Sequence, residues 1–558
     1  MRSLRIGSVP GFVIAALVLC PASDGGGKAV EHRNGVVVAV SEPGAEAGLT
    51  ILKQGGNAVD AAVATAFAMA VTHPSAGNIG GGGFMVVHPP KGEPTVFEYR
   101  ETAPAAATKT MFKKGESPHT HRVVGVPGTV RGMALAHQKL GKLSWKTLVL
   151  PAVELAEKGY VLDKHHADSL NGMLKSAKAF PEFQRVFARP DGTAWKPGDR
   201  HVQPDLAKTL RLIAEDGPDA FYQGKIADLL VAEMKAGNGL ITKDDLAAYK
   251  AMQRKPIVGT YRGYDVYGPP PPSSGGTCLV QMLGILETFD IRKHERFSPQ
   301  TLHLMTEAMR RSYCDRARHL GDPAFTRIPA HLLTRDHIAA LAKSINPAKA
   351  THSEDIAKDI PLAPEGESTT HFSVIDKDGM AVANTYTLEH GFGSRIVVKG
   401  AGFLLNNEMT DFNWRPGVTT KAGGIGTEPN TIAPGKRMLS SQTPTIIATK
   451  GKVLLVTGSP GGRTIINTVL NIVVSVIDYD MPIQEAVDAP RLHHQWFPDE
   501  VKFEGAKQHP ETVARLKAMG HRVSYARQGD AHSIWVNPKT GGYVGAADKR
   551  LSGKVSGY

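Results

Sequence analysis

The stretch from Phe372 to Leu388 constrains this chain more than any other. Phe372-Ser373-Val374-Ile375 and Ala381-Val382-Ala383-Asn384-Thr385-Tyr386-Thr387-Leu388 flank the turn Asp376-Lys377-Asp378-Gly379. An Asp-Gly turn between β-branched and aromatic runs predicts a hairpin. A second hairpin reads from Thr445-Ile446-Ile447-Ala448 through Lys450-Gly451-Lys452 to Val453-Leu454-Leu455-Val456, and Val36-Val37-Val38-Ala39-Val40 reads as a buried strand. Helical periods lie between them, at 45–52 and 58–71 around Gly55-Gly56-Asn57, and at 145–155, 206–213 and 278–286. A further helix follows Gly461-Gly462, with Ile465, Ile466, Val469, Leu470, Val473, Val476 and Ile477 on its apolar positions. Strands packed by helices predict a layered α/β or α+β sandwich. The composition permits it: 41% hydrophobic and 21% charged residues over 558 positions bury a sizeable core and exclude overall disorder.

Several function classes find no support. The net charge of +12 comes without a Lys/Arg-rich run or a stacking-aromatic motif, so no nucleic-acid partner is expected. Gly80 to Gly83 lacks the Gly-Lys-Ser/Thr ending of a phosphate loop. His165-His166 and His493-His494 are adjacent pairs rather than the i, i+4 pairs of a helical metal site, so neither metal nor cofactor is expected. At the start, Arg2 and Arg5 precede the apolar run Phe12 to Leu19 and then Cys20-Pro21-Ala22-Ser23. That order reads as an export signal over residues 1–23. Its apolar run is shorter than the roughly 20 residues a membrane span needs. Lipid attachment at Cys20 is the weaker alternative, because Leu19 is bulky for such a site. Cys278 and Cys314 then remain, as one disulfide or two thiols.

The chemistry-bearing position is Thr369. Around residues 343–368, Pro347, Pro361, Pro364 and Gly366 interrupt every period, as in an exposed linker, and Glu367-Ser368-Thr369-Thr370-His371-Phe372 joins it to the first hairpin strand. A threonine hydroxyl in mid-chain is a poor nucleophile. If the chain is cut just before it, the freed α-amine, with an ordinary pKa of about 7.7–8.0, can act as its general base. Pattern alone reads the Thr-Thr pair as strand propensity.

A resemblance takes the reading further. The marks are Gly55-Gly56-Asn57-Ala58-Val59-Asp60-Ala61-Ala62, Arg100-Glu101-Thr102-Ala103-Pro104 and Pro270-Pro271-Pro272-Ser273-Ser274-Gly275-Gly276. They continue with Thr369-Thr370-His371, Leu404-Leu405-Asn406-Asn407-Glu408-Met409, Leu439-Ser440-Ser441 and Gly458-Ser459-Pro460-Gly461-Gly462. In this order they resemble the γ-glutamyltransferases, or glutathione hydrolases, of the N-terminal nucleophile superfamily. The resemblance implies a precursor that cuts itself between Ser368 and Thr369 into a large piece, 24–368, and a small one, 369–558. The two pieces would form one heterodimeric αββα sandwich. Thr369 would take the γ-glutamyl group of glutathione or a related compound as an acyl-enzyme and pass it to water, an amino acid or a dipeptide.

The same resemblance assigns roles by position. Arg100, Ser440 and Ser441 would hold the substrate α-carboxylate; Glu389, Glu408 and Asp411 would hold its α-ammonium. Gly461 and Gly462 would offer backbone N–H groups to the oxyanion, and Thr387 would hydrogen-bond the Thr369 hydroxyl. Two departures stand out. Many members have Asn where this chain has Glu389, and some carry Tyr in the lid that here runs from Pro416 to Pro434, near Ala422. A less covered pocket predicts an enzyme that leans towards hydrolysis. Two other readings remain: an acylase removing glutaryl-type side chains from β-lactams, and an uncleaved, inactive relative acting as a binding protein. The acids at 389, 408 and 411 argue against the first, since its substrates lack an α-ammonium.

Overall fold

The computed structural model describes residues 30–113, 115–357 and 369–558. The export signal, Cys20 and Ser368 lie outside the described residues. Two seven-stranded antiparallel sheets form the centre. The first runs Lys554–Gly557, Gly35–Ala39, Thr370–Asp376, Ala381–Thr387, Gly82–His88, Thr95–Glu98, Met252–Arg254. The second runs Glu31–His32, Tyr543–Ala547, His532–Val536, Lys452–Thr457, Thr445–Thr449, Tyr264–Gly268, Ile257–Tyr261. Sequence on either side of Thr369 supplies strands to both sheets.

Strand alternation explains the layering. Val36, Val38, Phe84, Val86 and Ala383 meet Ile446, Val456 and Ile534 between the sheets. Their neighbours Val37, Ala39, Met85, Val87 and Val382 point the other way, onto helices Glu42–Lys53 and Ala58–Thr72. On the far side, Val266, Ile447 and Leu455 pack on helices Gly275–Glu287, Pro299–His319 and Thr464–Asp478. A strand covered on both faces needs apolar residues at every position, which is why Val36 to Val40 does not alternate. The result is the four-layer αββα sandwich expected from the sequence.

The hairpins have local causes. Asp376 Oδ1 accepts from the N–H groups of Asp378 and Met380 at 2.9 and 3.0 Å, and Gly379 takes φ of 83°. Asp376 Oδ2 accepts from Ala58 N at 2.9 Å, so the turn also caps helix Ala58–Thr72. Asn57 and Asp60 complete that end as a reciprocal capping box, a device worth about 1 kcal/mol. In the second hairpin Lys450 and Gly451 both take positive φ, 49° and 74°, as a two-residue turn between twisted strands requires.

Three expectations are refined. The helix after Gly461-Gly462 begins at Thr464, so both glycines lie in the turn before it. The described part of the 343–368 linker is largely exposed, as expected, but is pinned at single points: Ser353 is fully buried, donating to Trp496 O at 2.6 Å and receiving Arg310. Cys278 and Cys314 are two buried free thiols. Among the described residues no helix is long and apolar enough to cross a membrane.

Candidate active site

Thr369 sits immediately before the strand Thr370–Asp376, in the interior of the first sheet. The antiparallel register pairs Thr370 with Tyr386, and one step earlier places Thr369 opposite Thr387. Thr387 Oγ1 accepts the N–H of Glu389 at 2.8 Å, so its own proton is directed elsewhere, and both threonines line one cavity. Asn78 Nδ2 donates to Thr387 O at 2.8 Å and fixes the strand end.

The same cavity reaches Arg100, which follows the strand Thr95–Glu98 and is buried. The Arg100 guanidinium meets Glu408 at 2.6 Å, Glu101 at 3.5 Å and Asp411 closely, and its Nε donates to Met438 O at 3.3 Å. These acids hold the guanidinium firmly charged against its burial. Burial in turn pushes the Glu408 carboxyl well above the usual carboxylate range; Arg100 opposes this and Glu101 and Asp411 add to it. Burial also pushes Glu101 up, to about 7.

The acidic set comes together as expected: ligand oxygens of Glu389, Glu408 and Asp411 lie within 4.8 Å of one another. That spacing suits a cation, but Arg100 already stands against Glu408 and Asp411. A second cluster, His303, Glu307 and His521, has its carboxylate paired with Arg310 and Arg311. Glu389 holds φ of 76°, a left-handed backbone that costs a non-glycine residue about 1–3 kcal/mol and persists only where its surroundings impose it. Asn407 supplies that constraint, donating its N–H to Leu388 O and accepting from His390 N, both at 3.0 Å. Asn406 braces the next turn, its Oδ1 accepting from Gly125 N at 2.8 Å and Glu408 N at 3.0 Å.

Ser440 and Ser441 also line the cavity. The Pro270–Gly276 motif brackets them: Ser440 N donates to Pro272 O at 2.8 Å, and Ser274 Oγ donates to Ser440 O at 2.7 Å. Arg316 donates to Ser274 Oγ at 2.9 Å and to Ser441 Oγ at 3.0 Å, so the Ser441 hydroxyl keeps its proton for another acceptor. Gly461 and Gly462 take φ of 125° and 54°, and among the described residues their N–H groups donate to no protein acceptor. A Cβ on Gly461 would stand 2.4 Å from Thr464 Oγ1. Two free amides beside a hydroxyl nucleophile can stabilise an oxyanion.

Three residues were not singled out from the sequence. Glu101 lies under Arg100, Arg316 orients the serines, and Asn430 joins two walls by donating to Asp411 O at 2.6 Å and accepting from Leu439 N at 2.8 Å. Glu408 touches the cavity only through Arg100. Ala422 is exposed and does not line the cavity; Ile425, Thr427 and Asn430 are the residues of its segment that do. The cavity holds about 30 Å³, room for a water or two. A carboxylate entering beside Arg100 would therefore have to displace the Arg100–Asp411 contact.

Two stacked antiparallel sheets between helix layers, with a threonine opening an interior strand at a polar cavity, define an N-terminal nucleophile hydrolase. The γ-glutamyltranspeptidase family matches residues 44–558, and the chain belongs to it. It is 46% identical to the glutathione hydrolase proenzyme of Escherichia coli over 540 residues, covering 95% of this chain and 93% of that one. The crystal structure of a cephalosporin acylase from Bacillus halodurans superposes with a TM-score of 0.85 at 27% identity, covering 98% and 99% of the two chains. A γ-glutamyltranspeptidase from Pseudomonas nitroreducens, solved with L-DON, shows 44% identity and a TM-score of 0.53 over 56% of this chain and 95% of that one.

Proposed function

We propose that the protein is a self-processing γ-glutamyl hydrolase and transferase acting on glutathione and related γ-glutamyl compounds. The observation that carries this is Thr369 sharing one cavity with Arg100, Asp411, Glu389 and the two serines. That set presents a guanidinium for an α-carboxylate and carboxylates for an α-ammonium, the two charges that distinguish a γ-glutamyl head from a plain acyl chain.

In the precursor, the Thr369 hydroxyl attacks the carbonyl of Ser368; the C–N bond breaks and frees the Thr369 amine, and hydrolysis of the resulting ester releases the Ser368 carboxylate and restores the Thr369 hydroxyl. The mature halves are then 24–368 and 369–558. The amine takes the hydroxyl proton as Thr369 attacks the γ-carbonyl, Thr387 orients the nucleophile, and the N–H groups of Gly461 and Gly462 receive the oxyanion. The leaving amine takes a proton, and the ester passes to water or to the amine of an amino acid or dipeptide. The leader over 1–23 supports action outside the cytoplasm.

A β-lactam acylase is the second reading, favoured by the likeness to the Bacillus halodurans structure. Its glutaryl-type substrates offer nothing to Glu389 and Asp411. Purified protein is expected to run as two bands on a denaturing gel and to release aniline from a γ-glutamyl anilide but not from a glutaryl anilide. A single full-length band with no release from either overturns the proposal.

A further inference from the structure

Thr369 lines two cavities, not one. The first, with Arg100 and the acids, is nearly filled. The second holds about 480 Å³ and is walled by Thr369, Gly461, Ser75, His73, His165 and Arg527. Gly461 thus belongs to the second cavity and Gly462 to the first, so the reacting carbonyl bound between their amides lies at the junction. A γ-glutamyl head held by Arg100 leaves no room in the first cavity for the group beyond the scissile bond. The space on the other side of Thr369 is of small-ligand size.

We propose that this second cavity seats the amine partner of the reaction, as leaving group and as acceptor, and that Arg527 binds the carboxylate of an amino-acid or dipeptide acceptor there. The inference rests on Thr369 carrying the γ-glutamyl group.

The charges of the lining point to this class of ligand. Two acids line the cavity: Asp168 pairs with Lys164 at 2.6 Å, and Asp530 accepts Leu551 N at 3.1 Å through Oδ1 while its Oδ2 lies 3.0 Å from His532 without a hydrogen bond. Arg527 is the only arginine or lysine of the lining, is exposed, and makes no hydrogen bond or ion pair among the described residues. Burial pushes the His73 and His165 imidazoles down, so they add no competing cation. A lining guanidinium without a partner among the described residues favours a ligand with one carboxylate. A neutral amine at the inner end meets the ester carbon.

In the transfer step the acceptor nitrogen forms a bond to the γ-carbonyl carbon and the bond from that carbon to Thr369 Oγ1 breaks. One proton leaves the acceptor nitrogen through the Thr369 amine and returns to Oγ1, so the hydroxyl is restored.

The test uses the processed enzyme, a γ-glutamyl anilide donor, and Gly-Gly or Gly-Gly amide as acceptor. The readout is the ratio of transferred product to free glutamate, which is set after the acyl-enzyme has formed. The wild type is expected to favour Gly-Gly over its amide at least tenfold. Arg527→Ala is expected to lose that preference, and Arg527→Glu to reverse it. A wild type that hydrolyses the anilide but treats the two acceptors alike, or uses neither, overturns this inference alone. So does an Arg527→Ala enzyme that keeps the full preference. A wild type inert towards the anilide overturns the role of Thr369 and this inference together.

Discussion

Arg100→Lys is expected to separate substrate binding from self-cleavage. In the wild type one guanidinium touches Glu408 at 2.6 Å, Asp411 and Met438 O at once. In the proposed reaction, a substrate α-carboxylate takes the place of Asp411 and receives a charge-assisted pair of donors. A lysine ammonium in the same buried place can serve Glu408 or the substrate, but not both with the fork geometry. Loss of one partner of a buried charged pair costs about 2–4 kcal/mol. At 1.4 kcal/mol per factor of ten, kcat/KM for a γ-glutamyl anilide should fall about 30- to 800-fold, mostly through KM. Self-cleavage should persist, because the Ser368–Thr369 bond carries no free α-carboxylate to bind. The assay is initial-rate kinetics over a range of donor concentrations, with a denaturing gel of the same preparation. A variant with wild-type KM would refute the placement of Arg100. An uncut variant would refute the separation of the two tasks.

Thr369→Ala should give one uncut chain without activity, whereas Thr369→Ser should keep part of both functions; gel and anilide assay read this together. Gly461→Ala adds a Cβ at φ of 125° and 2.4 Å from Thr464 Oγ1, displacing the adjacent amide. Its kcat should fall about 100- to 1,000-fold, the usual loss for one oxyanion donor, with KM little changed. For Glu101, the folded protein holds its proton up to about pH 7, while the unfolded chain releases it near 4.5. The folded state therefore binds more protons across that window, and this group lowers stability as pH rises through it. Glu101→Gln should flatten the fall in Tm between pH 5 and 7.5, and an unchanged slope would remove Glu101 from the account.

The layering was legible because its signals are local. Val36 to Val40 and the Asp376–Gly379 turn carry their own strand and hairpin patterns, and burial on both faces leaves little choice of partner. Single residues of the site were legible only through motifs. Nothing near Arg316 in the sequence marks it as the group that orients Ser441, 125 positions away. Asn430 and Asp411 are likewise ordinary loop polars until their backbone and side-chain groups meet. The linker shows the same limit: proline and glycine reported its irregular, largely exposed backbone correctly, but the burial of Ser353 by Trp496 and Arg310 rests on contacts that no local pattern encodes. Ala422 shows the converse, since a position chosen by motif can face solvent while Ile425 faces the cavity.

The mixing of strands from before and after Thr369 in both sheets has a consequence for the protein's lifetime. While the chain is whole, the linker keeps the two halves at high effective concentration, and closing it costs only a slowly growing entropy. Once cut, the halves remain interleaved like the fingers of clasped hands, and neither can leave without dismantling a sheet. Refolding from separated polypeptides then becomes a dilute bimolecular search between incomplete sheets with open edges, which invites aggregation. The cut is thus a one-way mark of successful folding. The working life of the mature enzyme is set by how slowly it unfolds rather than by any equilibrium with an unfolded pool.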